Sequence, residues 1–163
     1  MYLKYIFKIL PNLNSRKENI VRLTNFSDYS MRVLIYLATK QEKSSIAEVS
    51  RTFCISENHL AKIVHKLSTL GYVHSIRGKH GGIKLGVDPT KINLGKIIVD
   101  LEPDFDIVEC FNEERDACSI SPVCRLKTYF NKAKKAFLAT LGRYTLANVI
   151  KNKSELVSIL CPK

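Results

Sequence analysis

Cys110, Cys118 and Cys124 lie close together in a chain of 163 residues, in the order C-FNEERDA-C-SISPV-C. Thiolate sulfur is a soft donor that suits iron–sulfur clusters, zinc and Cu(I). A closed zinc site usually brings a close C-x₂₋₄-C pair, and this stretch has none. Eight of the chain's fifteen acidic residues fall between Asp100 and Asp116, with only Arg115 opposing them there. Such a field disfavours an anionic cluster, which points to a labile site. It also argues against a catalytic thiol, which needs positive surroundings. The stretch is either an iron–sulfur site or three free cysteines in a solvated acidic loop. Three thiolates leave a fourth ligand open. No histidine lies beyond His80, Lys127 is a poor ligand while protonated, and a carboxylate is the better candidate. Of the other cysteines, Cys54 reads as a small core residue in a turn between helices, and Cys161 has no evident partner.

Composition narrows what must position these thiols. A hydrophobic fraction of 45% is that of a globular chain, and a net charge of +11 points to an acidic partner, nucleic acid being the commonest. Five unevenly spaced cysteines without a cleavable signal peptide argue against a disulfide scaffold and point to a reducing, cytoplasmic setting. No apolar run is long enough to span a bilayer, so no membrane partner is expected. Nothing resembles a Ser–His–Asp arrangement, a phosphate loop or a nucleotide-binding fingerprint, and an enzyme is not expected.

Residues 1–20 fit poorly with the rest of the chain, being basic and apolar up to Pro11. They read as a targeting peptide or as a non-native extension. In the second case Val21 is the start, encoded by GTG behind a purine-rich stretch over Arg16-Lys17-Glu18.

Residues 21–92 read as a winged helix-turn-helix domain. The spacing of Tyr29, Val33, Tyr36 and Leu37 predicts a helix over 25–39, capped by Asn25 or Ser27. Ser45-Ile-Ala-Glu48 has the form of a capping box and starts a short helix to about Phe53. Ser56 caps a third helix, 57–70, with Leu60, Ile63, Val64, Leu67 and Leu70 facing inward. A plain helical hairpin would share this pattern. The next segment separates the two, because 72–77 and 82–85 read as strands joined by the basic turn Gly78-Lys79-His80-Gly81. The candidate DNA contacts are Ser56, Asn58, His59, Lys62, His65 and Lys66 on the third helix, and Arg77, Lys79 and His80 at the wing.

Residues 93–121 supply a connector helix near 94–101 and the cysteine loop. Residues 122–153 supply a long helix beginning at Ser121-Pro122, which puts Cys124 in its first turn, and a short last helix capped by Thr145. Val123, Leu126, Phe130, Ala133, Phe137, Thr140 and Tyr144 alternate in steps of three and four. That seam is either a dimer interface or the domain's own core; a two-fold DNA site favours the dimer. The tail, 154–163, is uninformative. The expected fold is therefore mainly α with a small β-hairpin wing, a winged helix-turn-helix plus a long dimerisation helix.

From Val21 to about Glu155 the chain resembles the winged-helix iron–sulfur transcriptional regulators, on LTNFSDYSMRVLIYLA, SENHLAKIVHKLSTLGYV, RGKHGGIKLG, LEPDFDIVEC, SPVCRLK and YTLANVI. It is most similar to the branch that represses transcription in response to nitric oxide. The resemblance implies a homodimer on double-stranded promoter DNA, with a [2Fe-2S] or [4Fe-4S] cluster that nitric oxide destroys or modifies. It implies Cys110, Cys118 and Cys124 as the cluster ligands. Asp28 matches an acidic residue that, in some members, completes the cluster from the partner subunit. A sister branch, responsive to iron–sulfur or iron supply, carries a histidine three residues after the third cysteine. Lys127 stands there instead and favours the nitric-oxide branch. The seven-residue gap between Cys110 and Cys118 departs from the family pattern by its length.

Overall fold

The computed structural model describes residues 22–76, 78 and 81–160. The N-terminal extension, the wing residues Arg77, Lys79 and His80, and Cys161 lie outside the described residues.

The fold is mainly helical. Helix α1 (Asn25–Lys40) is capped by Thr24, whose hydroxyl accepts the Ser27 N–H, and not by Asn25 or Ser27. Ser27 is fully buried inside the first turn, so its side chain is unavailable as an outer cap. Helix α2 (Ile46–Phe53) has the expected capping box: Glu48 N–H donates to Ser45 Oγ at 3.1 Å, and Ser45 N–H to Glu48 Oε2 at 2.7 Å. Lys40 of α1 also donates to Glu48, at 3.0 Å. The Ser45 amide and then Lys40 hold the Glu48 carboxyl below its ordinary range.

The turn after α2 corrects one expectation. Cys54 is exposed, with φ +54, where it closes the helix. Ile55 goes inward instead and is 6% exposed. A left-handed C-cap turns its own side chain outward and lets the next residue drop into the core.

Helix α3 (Glu57–Thr69) is capped by Ser56 and buries Leu60, Ile63, Val64 and Leu67. Strands β1 (Val73–Ile76) and β2 (Gly82–Leu85) pair antiparallel, with Val73 opposite Leu85 and Ile76 opposite Gly82. Ser44 adds a bridge to Ile83, fastening the wing to the turn between α1 and α2. The core is built where α1, α3 and the wing meet, from Val33, Leu34, Leu37, Leu60, Ile63, Leu67, Val73 and Ile83. Ile92, Ile97, Leu101 and Leu146 belong to the same cluster. At roughly 1.5–3 kcal/mol for each fully buried aliphatic side chain, this cluster holds the helix-turn-helix and its wing as one body.

Helix α4 (Leu94–Leu101) leads into the cysteine connector, and α5 (Arg125–Leu141) leaves it. The short α6 (Leu146–Val149) starts after Thr145 as predicted, with the Thr145 N–H donating to Asn148 Oδ1 at 2.8 Å, and the chain adds α7 (Lys153–Leu160) where the sequence pattern was silent. Asn93 and Thr145 form a bridge, and Leu146 N–H donates to the Ile92 carbonyl at 2.9 Å. The end of α5 therefore returns to the start of α4. No helix among the described residues is long and apolar enough to cross a membrane.

Candidate metal centre and nucleic-acid interface

Cys110 sits in a 3-10 turn, Glu109–Phe111, and is half-buried. Cys118 is exposed. Cys124 is half-buried and is the N-cap of α5, not a first-turn residue. A second 3-10 turn, Ser121–Val123, takes the place of the predicted helix start. The reason lies in Ser121, which is buried and committed elsewhere. Its hydroxyl donates to Asp116 Oδ2 in a short bond and accepts from Lys127 Nζ at 2.8 Å. Its hydroxyl is engaged by these two side chains, and Cys124 takes the cap position.

Asp116 is the organising group of this half of the loop. It takes the Ser121 hydroxyl, the Cys118 N–H at 3.1 Å and Lys127 Nζ at 3.4 Å. The Ser121 hydroxyl, the Cys118 amide and Lys127 together hold its carboxyl below the ordinary range. The other half is held by Lys134. Its ammonium donates to the Phe105 carbonyl at 3.2 Å and lies 4.9 Å from the centre of the Phe111 ring, a cation–π distance. Cys110 lies between Phe105 and Phe111 in sequence, so one lysine of α5 holds both flanks.

These contacts revise the expected acidic field. Asp100 is bonded to Tyr72 and Lys96, Glu102 to Thr24, and Asp116 to Ser121 and Lys127. Arg115 is joined by Lys127 and Lys134, two cations that α5 brings to the connector. Sequence reasoning weighed Lys127 only as a ligand and gave Lys134 no role. It missed that a helix following the loop could fold back along it.

The donor chemistry fits an iron–sulfur group. Cys110, Cys118 and Cys124 carry free thiols, and the Cys124 side chain makes no capping hydrogen bond, which leaves the first-turn amides of α5 without a side-chain acceptor. A helix N-terminus favours negative charge, a thiolate included. Among the described residues, no three His, Cys, Asp or Glu side chains are grouped so as to hold a metal ion. Asp28 lies in the first turn of α1 and pairs with Arg32 at 2.6 Å.

On α3, Asn58, Lys62, His65 and Lys66 are exposed, opposite the buried stripe. His59 is half-buried, its ring 5.3 Å from that of Tyr29 and edge-on to it. The Ser56 hydroxyl accepts the His59 N–H at 3.4 Å. The seam of α5 divides. Phe130, Ala133 and Phe137 line a groove of about 620 Å³ with Leu23, Phe105 and Ile107. Leu126 is 57% exposed, Val123 and Tyr144 are also exposed, and no residue of α5 is buried.

Comparison with known proteins places this arrangement. The family model Rrf2, described as an iron-dependent transcriptional regulator, matches residues 23–152. The HTH-type transcriptional regulator NsrR of Bacillus subtilis (strain 168) is 49% identical over 142 residues, covering 86% of this chain and 97% of its own. NsrR of Bacillus licheniformis is 47% identical over 142 residues, covering 86% and 99%. Among solved structures, IscR of T. potens matches with a TM-score of 0.66 at 25% identity, over 84% of this chain and 91% of its own. CymR of B. subtilis, described as the global cysteine regulator, matches with a TM-score of 0.62 at 26% identity, over 80% and 96%.

Proposed function

The chain belongs to the Rrf2 family of transcriptional regulators, and from that premise we propose that it is a homodimeric repressor that senses nitric oxide through an iron–sulfur cluster. The observation that carries this reading is that three free thiols share one connector, which runs from the winged helix-turn-helix to an amphipathic helix with no buried residue. Cys110, Cys118 and Cys124 would hold the cluster, and the partner subunit's Asp28 would complete it. When bound, the cluster supplies iron to which nitric oxide can bind.

The chain's own residues do the rest. Lys127 and Lys134 hold the two halves of the connector against α5. The exposed apolar residues of α5, Leu126 among them, receive the second copy. Asn58, Lys62, His65 and Lys66 of α3 face the major groove, and Arg77 and Lys79 serve as contacts to the minor groove or its phosphates. A two-fold dimer sets two such helices for successive major grooves, a spacing that tolerates little error. Lys127 occupies the position of the sister branch's histidine. Its ammonium is engaged by Ser121 and Asp116, which supports the nitric-oxide input over the iron-supply input.

Anaerobic purification followed by nitric oxide titration tests this. The wild type should be coloured, should retain promoter DNA, and should release it as nitric oxide bleaches the visible absorbance. A colourless protein whose DNA binding ignores nitric oxide would sink the reading. A coloured protein that responds to iron depletion but not to nitric oxide would transfer it to the sister branch.

A further inference from the structure

Tyr72 stands where the recognition helix passes into the wing. Its N–H donates to the Leu67 carbonyl of α3 at 2.9 Å, and its carbonyl accepts the Gly86 N–H, also at 2.9 Å, just beyond β2. The residue is 8% exposed. Its hydroxyl leaves this unit altogether and donates to Asp100 Oδ2, in the last turn of α4, at 2.7 Å. Lys96 fixes the same carboxylate from one turn back, at 2.9 Å.

The bond has a fixed polarity. Burial, and then the adjoining Asp100 carboxylate, push the Tyr72 hydroxyl well above the ordinary phenol range, so it stays a donor. Burial pulls the Asp100 carboxyl upward, but the Tyr72 hydroxyl and Lys96 outweigh it and hold the group below its ordinary range, so it stays an acceptor.

Asp100 is also next to the sensing segment. Two residues on, Glu102 accepts the Thr24 N–H at 2.9 Å and the Thr24 hydroxyl at 3.3 Å, at the start of α1. The cysteine connector comes immediately after. The apolar contacts of α4, made by Ile97, Ile98 and Leu101, tolerate small slides and rotations, since dispersion and burial are non-directional. A half-buried hydroxyl–carboxylate bond does not, because its strength falls steeply with angle.

We propose that Tyr72 is a positioning residue that carries the state of the cysteine connector to the recognition helix and wing, acting through Asp100. This role rests on the sensing function proposed for the cysteines. A shift of the last turn of α4, when the connector loses its bound group, moves Asp100. Tyr72 moves with it, and so do the C-terminal end of α3 and the base of the wing.

The test uses the Tyr72→Phe protein in its cluster-loaded form, which keeps the ring and removes only the hydroxyl. The readout is the ratio of affinities for labelled promoter DNA before and after nitric oxide. Allosteric ratios are typically about 5–150-fold, and the wild type should fall in that range. Tyr72→Phe should cut the ratio at least threefold while leaving the visible absorption and circular dichroism of the bound cluster unchanged. Asp100→Ala, which removes the acceptor, tests the bond from its other end and should cut the ratio similarly. The double variant should cut it no further, since one bond is lost in all three. Ratios equal to wild type in both single variants overturn the proposal. A wild type with no cluster, or with a ratio of one, overturns the parent reading, and this proposal falls with it.

Discussion

Asp116 shows how much of the site depends on one carboxylate. It gathers the Ser121 hydroxyl, the Cys118 amide and Lys127, and so sets the shape of the chain between Cys118 and Cys124. Lys127→Met should loosen that segment and raise hydrogen exchange at the Cys118 amide by about threefold, a modest effect because the ion pair is partly solvated. Lys127→Arg should restore protection. Unchanged exchange in Lys127→Met would show that Ser121 holds the loop alone. The pH dependence has a definite sign. The Asp116 carboxyl is held below its ordinary range, first by the Ser121 hydroxyl, so its contribution is fully present above the unfolded value and is lost as pH falls through the lower folded one. Protection of the Cys118 amide, corrected for intrinsic exchange, should therefore be flat from pH 8 to pH 5 and should fall only in stronger acid. Loss near pH 6 would contradict the assignment.

At the level of elements, the crossing of α4 and α5 depends on Gly95. A Cβ there would lie 2.8 Å from the Leu138 carbonyl oxygen, 2.9 Å from Gly142 N and 3.0 Å from Gly142 Cα. These are backbone atoms, which cannot swing aside as a side-chain tip can. Alanine is about 1 kcal/mol better than glycine inside a helix, but forcing a methyl into a closed contact costs about 1–3 kcal/mol. The clash should win, and Gly95→Ala should lower the thermal midpoint by a few degrees. A rise would mean that α5 separates from α4 without penalty. The same crossing explains a limit of sequence reading. The pattern predicts the apolar seam on α5, but spacing along one helix cannot say which part faces the chain's own connector. Phe137 meets Phe105 at 6.3 Å between ring centres, while Leu126 faces solvent.

For the whole molecule, the proposed dimer assigns the exposed apolar surface of α5 to a second copy. In a two-fold interface each side chain counts twice. At roughly 1.5–3 kcal/mol for each buried leucine, Leu126→Glu should cost ~3–6 kcal/mol per dimer, or about two to four orders of magnitude in the dimer dissociation constant. Sedimentation velocity at micromolar protein should show the wild type as a dimer and the variant as a monomer. A variant that stays dimeric would place the interface elsewhere.

Much of this protein is legible in its sequence because local rules fix it. The capping box at Ser45 and Glu48, the inward stripe of Leu60, Ile63, Val64 and Leu67, and the hairpin at the wing each depend on residues close in the chain. So does the grouping of three cysteines in one connector. What the tertiary structure alone decided is which distant groups meet. Asp100 finds Tyr72, Glu102 finds Thr24, and Lys134 spans from Phe105 to Phe111. Cys54 faces water because a left-handed turn, and not its own apolarity, sets its direction. Charge counted along the chain made the connector an acidic run. Folding brought lysines from a later helix to it, because electrostatic interactions depend on distance in space and not on separation in sequence.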